Sequence, residues 1–453
     1  MKRLPPALYP VLSFALLILC GTVVLMAIPM TNGGSLEGID ALFLVTSATC
    51  VTGLTVLDVG SQLTLGGQLT LLSCIQLGGI GIMTFSTVLI LALGRSISFR
   101  SRFLVQDVFA HSPQADLHVL LRHVVLFTFS FEAVGAFLLF LRFSNELDLP
   151  SALYYGIFHS VSAFCNAGFG LFSDNLMRYC DDFLVNLTVI GLIVSGGIGF
   201  MVLHELVRGA RKSPSRRHYW NRLSLHSKLV LSMTVVLIAG GTVFFLASEW
   251  SNTLKGFSLP VKLLASLFQS VTPRTAGFNT LDYGAMNNIT LLGTVMLMFI
   301  GASPGSTGGG IKTSTMAVLL ALSRARLRGS EDHVHAFKRS ISASTVNRAF
   351  GIVVISIIIV LLGTAALLIS ETSDLGQQAS RGQVLELLFE ATSAFGTVGL
   401  SMGLTPRLSA WGKFILVLIM FTGRLGPLVI AMAIHPGRTK GRFYYSEERV
   451  MIG

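Results

Sequence analysis

The sequence predicts an all-α integral membrane protein, built as four tandem span, pore-loop, span repeats around a central pore, with eight transmembrane helices and four re-entrant pore helices. Three observations carry that prediction. The 453 residues are 52% hydrophobic and only 12% charged, with a mean hydropathy of +0.71, which excludes an ordinary soluble globular chain. Apolar runs long enough to cross a bilayer recur along the whole length. Between alternate pairs of runs lie shorter apolar segments that each end in a small-polar stretch around a glycine.

The runs lie near residues 8–30, 66–94, 124–141, 183–206, 229–247, 352–369 and 414–434, and an eighth, 289–323, is interrupted. A spanning helix needs about 20 such residues. The first run is kept as a span rather than a cleaved leader, because it is long, ends in IPMT without an A-x-A site and is followed by more spans. Lys and Arg concentrate at Lys2 and Arg3, in 95–122, 208–228 and 324–348, and in the C-terminal tail. The positive-inside rule makes those segments, and both termini, cytoplasmic. The net charge of +11 therefore reports topology, and no nucleic-acid partner is expected. Glu37, Asp40, Asp58, Asp174, Asp181, Asp182 and Asp282 fall in the outer loops, as a cation-attracting rim or as ordinary solvated residues. Cys20, Cys50, Cys74, Cys165 and Cys180 show neither metal-ligand spacing nor a disulfide framework. Cys20 and Cys74, inside apolar runs, read as small hydrophobic fillers.

The outer segments read DALFLVTSATCVTGLTV, SALYYGIFHSVSAFCNAGFGLF, LPVKLLASLFQSVTPRTAGFNTL and QVLELLFEATSAFGTVGLSMG. Aligned on Gly53, Gly168, Gly277 and Gly399, their polar ends are VTGLT, NAGFG, TAGFN and TVGLS. A Ser-Ala pair begins six residues before the glycine at 47–48, 162–163 and 393–394, while the third repeat departs, with Ser270-Val271 seven before. The glycines are 115, 109 and 122 residues apart, which divides the chain into repeats at 1–94, 95–210, 211–330 and 331–435 with a tail at 436–453. Non-helical backbone at membrane depth is tolerated only when buried in protein or lining water. Four such loops are expected to meet about one axis, glycine freeing the chain to turn carbonyls inward. Carbonyl rings that replace a hydration shell select potassium, and TVGLS is similar to the TVGYG signature of that chemistry. The candidate ion ligands are the carbonyls of Val51, Thr52 and Gly53, Asn166, Ala167 and Gly168, Thr275, Ala276 and Gly277, and Thr397, Val398 and Gly399.

The interrupted run breaks at GASPGSTGGG, residues 301–310, where glycines and a proline cannot continue a stable helix. It is not a phosphate-binding loop, since Ile311 separates Gly310 from Lys312 and no strand precedes it. Below the third filter segment it would cross the conduction path. Arg424 lies deep in an apolar run, where an arginine costs about 2.5 to 3.5 kcal/mol and must face partners inside the bundle. The expected partner is that loop. Glu132 reads either as a coupling-ion or proton site or as a hydrogen-bonded residue between helices. Arg274 is expected to brace the filter from outside or behind. His333 and His335 have no further ligand set, and His204-Glu205 lacks the second histidine of H-E-x-x-H.

SVTPRTAGFNT at 270–280, GASPGSTGGGIKTST at 301–315, GRLGP at 423–427 and the terminal YYSEERVMIG make the chain resemble the Trk/Ktr/HKT superfamily of potassium transporters, over essentially its full length. The resemblance implies one pore per chain, a homodimer in membrane lipid, and the plasma membrane of a bacterium. It makes the loop containing Gly301, Ser303, Pro304, Gly305, Gly308, Gly309, Gly310 and Lys312, together with Arg424, the gate. Glycine in all four filter positions goes with potassium as substrate in that superfamily, and serine in the first with sodium-preferring plant members. A sodium-preferring or sodium-coupled cation transporter of the same fold stays an alternative, and a metabolite secondary transporter a more distant one, since the repeats enter and leave on one side. No cofactor is expected on this chain and no enzymatic chemistry, ionisable residues in the spans being scattered. The family implies a cytosolic ring of KtrA-type nucleotide-binding subunits, for which basic clusters at 208–217 and 324–339 offer docking sites, or contacts to anionic lipid.

Overall fold

Apolar residues that would be unstable in water on every helix face are accommodated here by a bilayer on one face and by neighbouring helices on the other. The computed structural model describes residues 8–31, 33–80, 117–210, 220–329, 334–373, 376, 380–427 and 429. The later part of the 66–94 run, the repeat boundary at 94, the terminal YYSEERVMIG, His333 and the basic residues Arg211, Lys212, Arg216 and Arg217 lie outside the described residues.

In chain order the helices are α1 (Leu8–Ala27), α2 (Gly38–Thr49), α3 (Leu65–Gly79), α4 (Leu117–Phe143), α5 (Leu149–Phe164), α6 (Phe183–Ile198) and α7 (Phe200–Ala210). There follow α8 (Leu225–Ser248), α9 (Leu259–Val271), α10 (Asn288–Phe299), α11 (Thr313–Leu327), α12 (Ala343–Thr372), α13 (Gln383–Gly396) and α14 (Ala410–Leu425). A two-residue hairpin, β1 (His335–Ala336) with β2 (Arg339–Ser340), is antiparallel. Helices α1, α4, α8 and α12 are each long and apolar enough to cross a membrane. Their outward faces stay apolar: Leu19, Val23, Val134, Phe137, Val235, Leu362 and Ile369 are all exposed, as lipid-facing side chains are.

Polar caps mark several helix starts. The side chains of Asp148, Asp182, Ser224, Ser342 and Ser409 accept from N–H groups of the first turns of α5, α6, α8, α12 and α14, satisfying donors that lipid cannot. Glu205 reinforces one of them, accepting from Ser224 N at 2.6 Å and Ser224 Oγ at 2.8 Å. The His204-Glu205 pair is thus a helix cap beside a His123 to His204 ring contact, 4.8 Å between centroids.

Two runs differ from expectation. The run 183–206 is a bent pair, α6 and α7 meeting at 98°. The hinge is Gly199, at φ +99, and Phe200 N donates to Gly305 O at 2.9 Å, so the third repeat's loop occupies the corner. In the 414–434 run, α14 ends at Leu425, where Gly426 takes φ +82. The interrupted run is broken as expected, α10 and α11 flanking irregular backbone from Ile300 to Lys312.

The short helices α2, α5, α9 and α13 set the architecture. Each packs against the long helix preceding it, α1, α4, α8 and α12 respectively. Each also packs against a helix of the adjoining repeat: α3 on α5, α6 on α9, α10 on α13, and α14 back on α2. That order closes on itself. The main core cluster joins Phe43, Val45 and Leu71 near the N-terminus to Phe395, Leu416 and Met420 near the C-terminus.

Candidate functional site

Each of the four short helices delivers its C-terminal end to the centre of the ring, and there the chain takes the same unusual turn. Val51, Asn166, Thr275 and Thr397 have φ of 56, 60, 74 and 50, and two residues later Gly53, Gly168, Gly277 and Gly399 have φ of 97, 70, 76 and 91. Asn tolerates the left-handed region, but three β-branched residues there store strain of about 1 to 3 kcal/mol each. Such outliers persist where surrounding structure over-determines them.

The determining contacts are hydrogen bonds back into the helices. Thr52 N donates to Ser47 O at 2.7 Å, Ala167 N to Ser162 O at 2.7 Å and Val398 N to Ser393 O at 2.8 Å. Ser47 Oγ and Ser393 Oγ each accept from the glycine N–H, at 3.1 Å. The third turn, which lacks the Ser-Ala pair, uses Ala276 N to Thr272 O at 2.9 Å. The amides thus face the helices, and the carbonyls are left over. Among the described residues, no donor is bonded to the carbonyls of Thr52, Gly53, Ala167, Ala276, Gly277, Val398 or Gly399. Buried carbonyls need partners, and oxygens in this arrangement can take up a donor or a cation.

The four turns touch in sequence. A Cβ on Gly53 would stand 2.5 Å from Ala167 O, on Gly168 2.8 Å from Ala276 O, on Gly277 2.5 Å from Val398 O, and on Gly399 against Thr52 O. Every glycine faces the carbonyl of the next turn, and the fourth faces the first. Helix C-termini, each with about half a negative charge, point at the same centre. The ring thus offers carbonyl oxygens and helix C-termini to a common centre, chemistry that could coordinate a cation.

Beneath it the loop from Gly301 to Lys312 is held on several sides. Ser303 N and Thr307 N donate to Gly197 O and Gly196 O at 3.0 and 3.2 Å. Gly309 N donates to Thr397 Oγ1 at 3.0 Å, tying the loop to the fourth turn. Lys312 Nζ donates to Gly308 O at 2.7 Å and Gly309 O at 3.3 Å, and Ser303 Oγ meets Thr313 Oγ1 at 2.8 Å. Close approach explains the glycines: a Cβ on Gly308 would strike Thr275, on Gly309 Thr397, and on Gly301 the Gly309 backbone, while Gly310 and Gly305 adopt φ of 65 and 67. Pro304 sits in the turn at the corner near Gly199. Arg424, 6% exposed, donates from one guanidinium nitrogen to Thr307 O and from another to Gly78 O. The loop is its partner, as expected, and the second anchor lies on the first repeat.

Sequence reading missed that second anchor and the motif behind it. A Cβ on Gly78, Gly196 or Gly423 would collide with the carbonyl of Thr49, Phe164 or Phe395, at the end of a short helix. The following residue is Gly79, Gly197 or Arg424. The paired glycines were a visible signal, at similar distances beyond the filter glycines, but their packing partners lie far away in sequence. Glu132, on α4, accepts from Gln76 Nε2 at 3.2 Å and lies 3.9 Å from Cys165 Sγ. It is a buried hydrogen-bonded residue between helices, one of the two readings. Arg274 is 5% exposed, and its Nε and one terminal nitrogen have no partner among the described residues. No cluster of three or more His, Cys, Asp or Glu that could hold a metal occurs among the described residues, and the five cysteines are free.

A helical membrane protein whose re-entrant turns form a closed ring of free carbonyls belongs to the class of cation-conducting proteins. Residues 15–438 match the TrkH family, described as cation transport protein, and the chain belongs to that family. It is 42% identical to the Ktr system potassium uptake protein B of Bacillus subtilis, over 95% of this chain and 93% of that one. It is 34% identical to the potassium/sodium uptake protein NtpJ of Enterococcus hirae, over 100% and 98%. The crystal structure of the potassium transporter TrkH from Vibrio parahaemolyticus shares its fold, with a TM-score of 0.69 at 18% identity, covering 93% of this chain and 84% of that one. The protein is accordingly a transport protein and not an enzyme.

Proposed function

We propose that the protein takes up potassium across a bacterial plasma membrane, the ion passing through the ring formed at Gly53, Gly168, Gly277 and Gly399. The observation that carries this reading is the mutual contact of the four glycine turns, whose carbonyls, Gly168 O apart, have no donor among the described residues. In the same reading the eight helices α1, α3, α4, α6 with α7, α8, α10 with α11, α12 and α14 are four pairs of membrane-crossing segments, with both termini cytoplasmic. The 301–312 loop, latched by Lys312 and Arg424, is the gate. Two copies form the homodimer, and a KtrA-type cytosolic ring supplies nucleotide control through the basic surface that includes Arg324, Arg326 and Arg328. The name of the Bacillus relative supports potassium, and that of the Enterococcus relative supports sodium as a second or coupled ion.

Purified protein in liposomes, followed by rubidium-86 uptake down a potassium gradient with and without sodium, tests this. Saturable uptake that excess potassium suppresses and equal sodium does not is the expected result. Uptake equally suppressed by both ions would remove potassium selectivity, and stimulation by sodium would establish coupling.

A further inference from the structure

In each repeat a polar side chain holds the segment that follows the glycine turn, from α3 in the first repeat and from the short helix itself in the other three. In the first, Gln68 Nε2 donates to the carbonyls of Val59 and Gly60, both at 3.2 Å, and of Leu63 at 2.9 Å. In the second, His159 Nε2 accepts from Leu171 N at 3.3 Å. In the third, the Gln269 amide oxygen accepts from Leu281 N at 2.9 Å and Thr280 N at 3.3 Å, and its nitrogen donates to Tyr283 Oη at 2.6 Å. In the fourth the holder is Glu390, fully buried in α13. One of its oxygens accepts from Ser401 Oγ and the other from Thr405 Oγ1 at 2.9 Å.

The fourth brace differs from the others in being an acid. Its donors are those two hydroxyls and the backbone N–H of Met402, all neutral, and none of the ion pairs among the described residues includes it. The charged residue one turn earlier on its own helix, Glu386, has the same sign. Burial works against the charged form of a carboxyl group, and the three donors together with a cation on the ion path work for it. Ser401, its hydrogen-bond partner, lies two residues beyond Gly399, so the place where a cation can compensate it is the ion path itself.

We propose that Glu390 is a positioning residue, whose carboxylate, ionised when the ring holds its cation, places a negative charge behind the fourth filter strand and raises the affinity of the ring for that cation. The inference rests on the reading of the four glycine turns as a potassium filter. It makes the four-part ring electrically unequal, one side carrying a full charge where the others carry dipoles.

The test is rubidium-86 uptake by full-length protein in liposomes, comparing wild type with Glu390→Gln and Glu390→Asp, each checked for a monodisperse elution profile. Glu390→Gln preserves size and hydrogen-bonding capacity and removes the charge. It is expected to raise the KM for potassium roughly tenfold, as loss of a charge near a partly solvated path does, with maximal rate within twofold. Glu390→Asp keeps the charge and should restore KM to within about threefold of wild type. An unchanged KM in Glu390→Gln overturns the proposal, as does a tenfold rise in Glu390→Asp, which would make the brace's shape the determinant. Either result stands apart from failure of the filter reading, in which wild type itself shows no selective uptake.

Discussion

Gly53 combines two constraints that no side chain meets: a φ of 97 and the Ala167 carbonyl 2.5 Å from where a Cβ would stand. A serine there must strain its own backbone, at about 1 to 3 kcal/mol, or push the neighbouring carbonyl off the ring. The first outcome lowers stability and the second alters the ion's ligands. Gly53→Ser is therefore expected to reduce the preference for potassium over sodium at least several-fold in competitive uptake. An unchanged preference would show that this glycine does not shape the ion site. Gly168, Gly277 and Gly399 stand in the same relation to their neighbours, so a similar loss is built into each, modified by the differing residues at Thr52, Ala167, Ala276 and Val398.

The loop between α10 and α11 is an element whose position depends on a few bonds to other elements. Arg424 supplies two of them, to Thr307 O on the loop and to Gly78 O at the end of α3. Charge-assisted hydrogen bonds contribute about 1.5 to 3 kcal/mol each, and a shift of about 1.4 kcal/mol changes a two-state population tenfold. Arg424→Ala is expected to release the loop and raise the rate of potassium uptake between roughly threefold and tenfold, measured on protein that elutes as wild type does. Arg424→Lys keeps the charge without a fork that can reach two carbonyls. An accelerated Arg424→Lys therefore assigns closure to the bridge, whereas a rate like wild type assigns it to charge, and slower uptake in both variants rules out a latch. Much of this element was legible from sequence: glycine and proline fixed the break, and a mid-run arginine demanded an internal partner. The Gly78 anchor was not, because 346 residues separate the two groups. The bend at Gly199 was hidden for a related reason. Its cause is the Gly305 carbonyl from another repeat, while local hydropathy reads straight through. The glycine turns were the opposite case, since the helix end and the glycine that define each turn lie within a few residues of one another.

At the scale of the whole molecule, a ring made from one chain must close the last quarter onto the first. Helix α14 packs on α2, and Lys413 Nζ meets Asp40 Oδ1 at 2.6 Å across that seam. The pair is mostly sheltered, with side chains 12% and 20% exposed, so each partner desolvates the other and the loss of one leaves a charge stranded. In a subunit tetramer four identical interfaces share that task, whereas here a single seam joins residues 373 positions apart. Asp40→Lys or Lys413→Asp alone is expected to lower the thermal midpoint of the purified protein, because like charges then face each other in the seam. The double exchange restores opposite charges and should recover most of the loss, with a coupling of about 1 to 3 kcal/mol, as contacting pairs show. Exchange as damaging as the sum of the single changes would mean that apolar packing between α2 and α14 closes the ring without the ion pair. Restored stability together with restored potassium selectivity would connect the seam to the filter, since α2 carries its C-terminal end directly into the turn at Val51, Thr52 and Gly53.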